Sequence, residues 1–454
     1  MSGGAPIRAA ALALALLPAA GTAQAQAQEE TRARLLEDLR ALVDYATVTV
    51  KLSAFAHEDP YPGDRQALGF AWAGVEFAGP VLDSWEVRFT PEFNADTGDR
   101  AGSGIRFDER GRRRPMLGVE EAWVSHVDGP WTATIGKQLF SWGAADLYSP
   151  TDDLNARDKL DLPEAEKLGA LAMSLGYATQ DIGLQFVFVP WFTPDRLPPQ
   201  DNRWARSTDP LADAAALTLG FRPAVSVGPR TLPPAGLDSS TFGARAITST
   251  LLPGWDLSAT VVHGPSTNPV VAQRVNGGVL ELTSVYPHYT EIGGGFSTIF
   301  GDYELHGETS LHLTRESRQD DDYLTAVIGF RRDWKDDPLP WLEELSLTAE
   351  YAYEHVTRAA TLSNAFVRTA FDRSLANSAV AKLEFGFDPD TTASLGGAVN
   401  IEDRDWTMDL NLAHDLTDAA TLTLGVQIFE GPTESFFGAY DGNDRVYASV
   451  EIVF

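Results

Sequence analysis

From Asp44 onward, apolar and polar residues alternate with period two through most of this chain. In the stretch LDSWEVRFTPEF, Trp85, Val87, Phe89 and Phe93 fall on one face, and Glu86, Arg88, Thr90 and Glu92 on the other. In DYELHGETSLHL, Tyr303, Leu305, Leu311 and Leu313 oppose Glu304, His306, Glu308 and His312. The last ten residues, RVYASVEIVF, behave the same way, with Val446, Ala448, Val450, Ile452 and Phe454 on the apolar face. Period two marks a strand whose faces meet different surroundings. The pattern predicts eighteen strands, over 45–56, 67–79, 82–93, 117–127, 131–140, 169–178, 181–191, 241–252, 255–263, 288–300, 302–313, 323–334, 345–356, 377–387, 391–402, 406–415, 419–429 and 445–454. Many of these are long enough for a tilted strand to cross a bilayer.

The connections sort by parity. Those after even-numbered strands are mostly short, as GPV at 79–81, DGP at 128–130, PG at 253–254, DPD at 388–390 and LTD at 416–418. Those after odd-numbered strands are mostly long. A soluble sandwich also alternates, but its strands are shorter and its turns do not segregate. The prediction is an all-β, transmembrane, up-and-down antiparallel barrel in the outer membrane of a Gram-negative bacterium. A short outer loop at 403–405 and a long inner turn at 335–344 disturb the parity, so sixteen strands stays open. Trp131, Trp191, Trp255, Tyr289, Tyr303, Tyr323, Trp334 and Trp406 cluster at strand ends, where aromatic girdles are expected.

Before the strands, residues 1–27 read as a secretory leader. Arg8 precedes an apolar run from Ala9 to Leu17, followed by Ala23, Ala25 and Ala27 as small cleavage-site residues. Residues 28–44 carry a short amphipathic helix, expected at the periplasmic mouth or in the lumen, with Leu35, Leu36, Leu39, Leu42 and Val43 on one face. The barrel occupies 45–454.

The chain has no cysteine and a formal net charge of −29. Disulfide scaffolds and thiolate chemistry are thereby excluded, and nucleic acid is disfavoured as a partner. The expected surroundings are outer-membrane lipid and lipopolysaccharide, with a small-molecule solute inside. A homo-oligomer or a periplasmic partner stays open. Arg112, Arg113 and Arg114 form a basic triplet that can grip lipopolysaccharide phosphates or simply be solvated.

The segment IGKQLFSWGAADLYSPTDDLN, residues 135–155, resembles a porin-like family of proteobacterial outer-membrane proteins of unknown function, with the pattern G-[RK]-Q-x-x-x-W-G followed by P-x-D-x-x-N. The matching residues are Gly136, Lys137, Gln138, Trp142, Gly143, Pro150, Asp152 and Asn155. The resemblance implies passage of small or hydrophobic molecules through the outer membrane, with some relatives serving lipid-handling export. Gram-negative barrels also typically finish on an aromatic residue that the barrel assembly machinery reads; Phe454, Ile452 and Val450 fit that signal.

The alternation places thirteen acids toward the lumen: Glu86, Glu92, Asp256, Glu291, Asp302, Glu304, Glu308, Glu350, Glu354, Glu384, Glu402, Asp409 and Glu451. Five bases accompany them: Lys51, Arg88, Arg245, Arg331 and Lys382. With His306 and His312 on the same wall, this describes an acidic pore preferring cations or neutral solutes. Asp152, Asp153, Asn155 and Asp158 lie in a charged loop that is either a constriction folded into the barrel or a solvated outer loop. Their spacing is not that of an EF-hand, and no metal or cofactor is expected. The proline-rich 192–240 segment is a candidate plug or cap. Glu308, Ser310 and His312 do not make a catalytic trio, because residues two apart on a strand lie about 6.6 Å apart, beyond hydrogen-bond reach. The sequence therefore reads as a channel rather than an enzyme, with a hydrophobic-cargo conduit and a structural or surface-recognition barrel as the alternatives.

Overall fold

The computed structural model describes residues 22–98, 100–234, 236–315, 319–335, 338–360, 366–368 and 374–454. The leader expected at 1–27 falls mainly outside the described residues. The barrel strands are β1 (Thr47–His57), β2 (Ala67–Val81), β3 (Trp85–Asp96), β4 (Leu117–Asp128), β5 (Trp131–Gln138), β6 (Ala170–Ala178), β7 (Gly183–Val189), β8 (Thr241–Thr248) and β9 (Trp255–Pro265). They continue as β10 (His288–Phe300), β11 (Tyr303–Thr314), β12 (Asp322–Trp334), β13 (Glu344–Arg358), β14 (Asn377–Asp388), β15 (Thr391–Asn400), β16 (Asp405–Thr417), β17 (Ala420–Glu430) and β18 (Arg445–Val453). Each is antiparallel to its neighbour, and β1 closes on β18 as well as on β2. Closure leaves no strand edge unpaired, which a lipid environment requires. Beyond β18, Phe454 and Val48 exchange backbone hydrogen bonds of 2.9 and 3.1 Å.

Eighteen strands form, not sixteen. The two doubtful strands, β12 and β16, each pair along their length on both sides. The 335–343 connection stays long and the 401–404 connection stays short. One turn is displaced from its expected place. GPV is part of β2, with Val81 opposite Trp85, and the chain reverses at Leu82–Ser84, where Leu82 takes φ of 55°. A helix explains that conformation. Helix α1 (Thr22–Asp44) runs longer than expected and packs on this turn. Asp38 accepts the Leu82 amide at 2.8 Å, Arg34 pairs with Asp83, and Leu42 is buried beside Gly79. Val43, expected on the apolar face, is exposed.

Outward faces carry the apolar set, including Leu171, Met173 and Leu175 on β6, and Leu410 and Leu412 on β16. Near the short-turn end, Trp131 packs on Tyr177 at 4.7 Å, and Arg332 lies over the Tyr303 and Trp334 rings. Tyr289 and Tyr323 leave the expected girdle. Cross-strand register puts them on the inner face, clasping His312 at 4.4 and 4.5 Å.

The long loops add structure that alternation alone does not reveal. The 190–240 connection contains helix α2 (Asp209–Leu219) and a strand, Ala224–Val227. That strand joins a four-stranded sheet with Val270–Asn276, Val279–Val285 and Phe366–Arg368, outside the barrel wall. Upstream of α2, Trp204 is fully buried against Phe429 and Tyr440.

Candidate functional site

The connection between β5 and β6 determines the interior. Its polar composition suits a solvated loop, yet it folds inward and is tied to the far wall by two carboxylates. Glu308 on β11 accepts the amides of Ala144, Ala145 and Thr151 and the hydroxyls of Ser149 and Thr151, the hydroxyls at 2.8 and 2.9 Å. Glu350 on β13 accepts the amides of Asp146, Leu147 and Tyr148 at 2.8, 2.9 and 2.9 Å, and pairs with His306 at 3.0 Å. Backbone amides buried away from water need acceptors, and carboxylates are the strongest available. Gly329, on the strand between them, leaves room for this arrangement: a Cβ there would lie 2.5 Å from Glu350 and 2.6 Å from His306.

The 135–155 motif builds the other side of the same loop. Gly136 has φ of 136°, and a Cβ would approach the Ala122 carbonyl oxygen to 2.1 Å, so only glycine fits. Lys137 is buried and donates to Glu109 and to the Val119 carbonyl. Gln138 donates to the Ala172 carbonyl and accepts from Ser174. The Trp142 indole donates to Gln185 at 2.9 Å, and its amide donates to Asp152 at 3.1 Å. Asn155 accepts the Phe140 amide at 2.7 Å and donates to the Gln138 and Leu168 carbonyls. Asp152 and Asn155 fold the loop on itself, while Lys137, Gln138 and the Trp142 indole tie its base to the β3–β4 connection and to β4, β6 and β7.

The charged-loop residues Asp152, Asp153, Asn155 and Asp158 each have a protein partner. Asp152 pairs with Lys167 and Arg157, Asp153 hydrogen-bonds Glu291, and Asp158 accepts from Arg114 at 2.8 Å and from Arg196. Burial works against the Asp158 carboxylate, yet Arg114 and Arg196 hold it below the ordinary range. Asp161 follows the same pattern. Burial raises it, but Arg445 and Arg100, at 2.9 and 2.5 Å, bring it down to about 2. Burial pushes Glu164 the other way, above the usual carboxylate range, helped by the Asp161 charge. Arg114 is thus not free to grip lipopolysaccharide: it turns inward onto Asp158 and over the Phe70 ring at 5.0 Å.

Between this loop and strands β1 to β3 lies a cavity of about 410 Å³. Nine acidic and five basic side chains line it. Phe55, Leu68, Phe70 and Trp72 form its apolar wall.

The other sequence-selected residues spread around the inner face. Arg88 bridges Glu121 and Glu76, Glu92 accepts the Trp72 indole, and Arg245 donates to the Ser141 carbonyl of the inward loop. Glu304 accepts from Ser297, Arg331 pairs with Asp333, Lys382 pairs with Glu384, and Asp409 accepts from Gln427 and Asn411. Glu86 stands exposed near the short-turn end of β3. Asp302 and Glu402 are not on the wall: the first lies in the β10–β11 turn because β11 begins one residue later than alternation suggests, and the second in the loop after β15 because that strand ends two residues earlier. Of the residues selected from the sequence, Arg245, Glu291, His306, Glu308 and Glu350 gather at the inward loop. His312, held between two tyrosines, does not join Glu308. Arg100 and Arg196 sit in long loops, where no periodicity marks them; Arg445 lies on the polar face of the last strand, where its spacing does.

The fold is a closed eighteen-stranded antiparallel β-barrel of the architecture seen in porins. Among solved structures, the chain resembles a BenF-like porin from Pseudomonas fluorescens Pf-5, with a TM-score of 0.50, 8% identity, and coverage of 90% of this chain and 97% of that one. Pseudomonas aeruginosa OccK8 (OprE) gives 0.47 at 8% identity over 90% and 97%, and a mutant Rh. blastica porin 0.40 at 11% over 90% and 99%. No protein-family model matches the chain, and no curated protein compared with it gives a significant match.

Proposed function

We propose that this barrel is a channel for small solutes across the outer membrane, narrowed by the inward 139–169 loop and biased toward cations. The observation that carries this reading is the clamp of Glu308 and Glu350 on seven donor positions of the loop, which holds chain across the interior. An eighteen-stranded wall is wide enough for an aqueous lumen, so a loop fixed inside it sets the cross-section. The cavity beside the loop is lined by nine acidic and five basic side chains, a formal excess of four acids. Fixed charge selects strongly only where the path is narrow, because salt screens it over about 8–10 Å. The pore-lining roles of Glu86, Glu92, Arg245, Glu304, Arg331, Lys382, Glu384 and Asp409 belong to this reading.

A second reading, passage of apolar cargo, draws on the wall of Phe55, Leu68, Phe70 and Trp72 and on the motif resemblance at 135–155. Planar-bilayer recording separates the two. Ohmic steps with a cation-side reversal potential support the channel; an electrically silent, correctly folded barrel favours the apolar conduit.

A further inference from the structure

We infer that the cavity beside the inward loop binds an organic ammonium ion carrying an apolar body, such as an aryl or alkyl amine; this rests on the channel reading and names the solute class within it. The cavity combines two recognition elements on adjacent walls. Phe55, Phe70 and Trp72 come from β1 and β2. Glu92, Glu120, Glu166 and Glu451 face the same space, and none of them makes an ion pair among the described residues. The bases in the lining behave differently. Arg100, Arg114, Lys167 and Arg196 are each spent on an aspartate or glutamate of the loops, and Lys51 lies 3.9 Å from Glu164. The groups left without an ion-pair partner are therefore acidic.

The aromatic wall is already used as a cation platform. Arg114 lies 5.0 Å over Phe70, and Arg445 lies 4.3 Å over Phe55. Cations over aromatic faces gain more when water is excluded. Trp72 is held in place rather than loose: its indole donates to Glu92 at 3.1 Å, and its ring covers Gly74, where a Cβ would lie 2.4 Å from it. A volume of about 410 Å³ suits a small organic molecule and exceeds what a bare metal ion needs. An inorganic cation would use the acids and waste the rings. A neutral apolar solute would leave the acids without a counter-charge.

The probe is benzyltrimethylammonium, with tetramethylammonium as the control of equal charge and smaller apolar body. Titration calorimetry on the folded full-length barrel in detergent should show saturable binding of the benzyl compound at least tenfold tighter than of tetramethylammonium. Trp72→Ala and the double variant Glu92→Gln, Glu120→Gln should each weaken it at least tenfold. Gly74→Ala, which displaces the Trp72 ring without altering any acid, should weaken it as well. In bilayers the benzyl compound should reduce potassium current at concentrations where tetramethylammonium does not. Equal affinity for the two ions, or binding unchanged in folded Trp72→Ala protein, overturns the inference. Tight binding without any conductance would instead sink the channel reading and leave the site standing.

Discussion

Removing the two carboxylates that hold the inward loop should change the pore without destroying the barrel. Glu308→Ala removes the acceptor of five hydrogen bonds, and Glu350→Ala the acceptor of three backbone amides and the His306 partner. Both side chains project from strands whose ladder bonds are untouched by the change. Breaking a buried charge network by removing one partner costs about 3–5 kcal/mol. Part of that is recovered when the loop leaves the wall and its amides meet water. A retained penalty of about 3 kcal/mol shifts the docked–undocked equilibrium by roughly a hundredfold, at 1.4 kcal/mol per factor of ten. The absence of cysteine makes the assay clean. A single Leu147→Cys reporter should react with a charged thiol reagent about a hundredfold faster in the double-alanine background, and single-channel conductance should rise with added open-channel noise. Glu308→Gln, which keeps an acceptor, should fall between. Equal labelling rates and unchanged conductance in a folded double variant would refute the clamp.

Other outcomes follow from the same geometry. Gly136→Ala forces a Cβ against the Ala122 carbonyl at a φ that side chains rarely adopt, so urea unfolding should report a loss of about 1–3 kcal/mol; a midpoint equal to wild type would contradict it. Asp161 sits at about 2 in the folded chain, below its unfolded value near 4, so its contribution is complete above about pH 4 and is lost as pH falls toward 2. That contribution, about 2 kcal/mol, should make wild-type stability fall more steeply than that of Asp161→Asn between pH 5 and 2; parallel curves would count against the Arg100–Asp161–Arg445 network. Deleting Phe454 removes the hydrogen bonds it exchanges with Val48 at the barrel seam and, on the proposed role as an assembly signal, should lower the yield of heat-modifiable barrel while leaving the conductance of assembled molecules unchanged; a normal yield would argue against that role.

Alternation alone located all eighteen strands, because each wall residue faces either lipid or the interior and period two records that choice directly. Boundaries slipped where a neighbour intervened, as at Leu82, whose turn conformation is set by Asp38 on a helix far away in sequence. The inward loop was half legible. Gly136, Trp142, Asp152 and Asn155 stood out as a motif, but nothing in their spacing says that the loop bends toward Glu308 and Glu350 rather than into solvent. That direction depends on strands more than 150 residues away, which present acceptors beside glycine. The charged cavity was the least legible part. Arg100, Asp161 and Arg196 come from irregular segments, where side-chain direction follows from tertiary contacts and from no repeating pattern.

The channel reading is tested most directly by reversal potential in a planar bilayer across a tenfold KCl gradient. The net negative lining of the cavity predicts ohmic steps and a reversal potential on the potassium side at low salt, shrinking as both solutions are raised toward 1 M, where the screening length falls to about 3 Å. A reversal potential on the chloride side, or no conductance from a barrel shown to be folded, would contradict it.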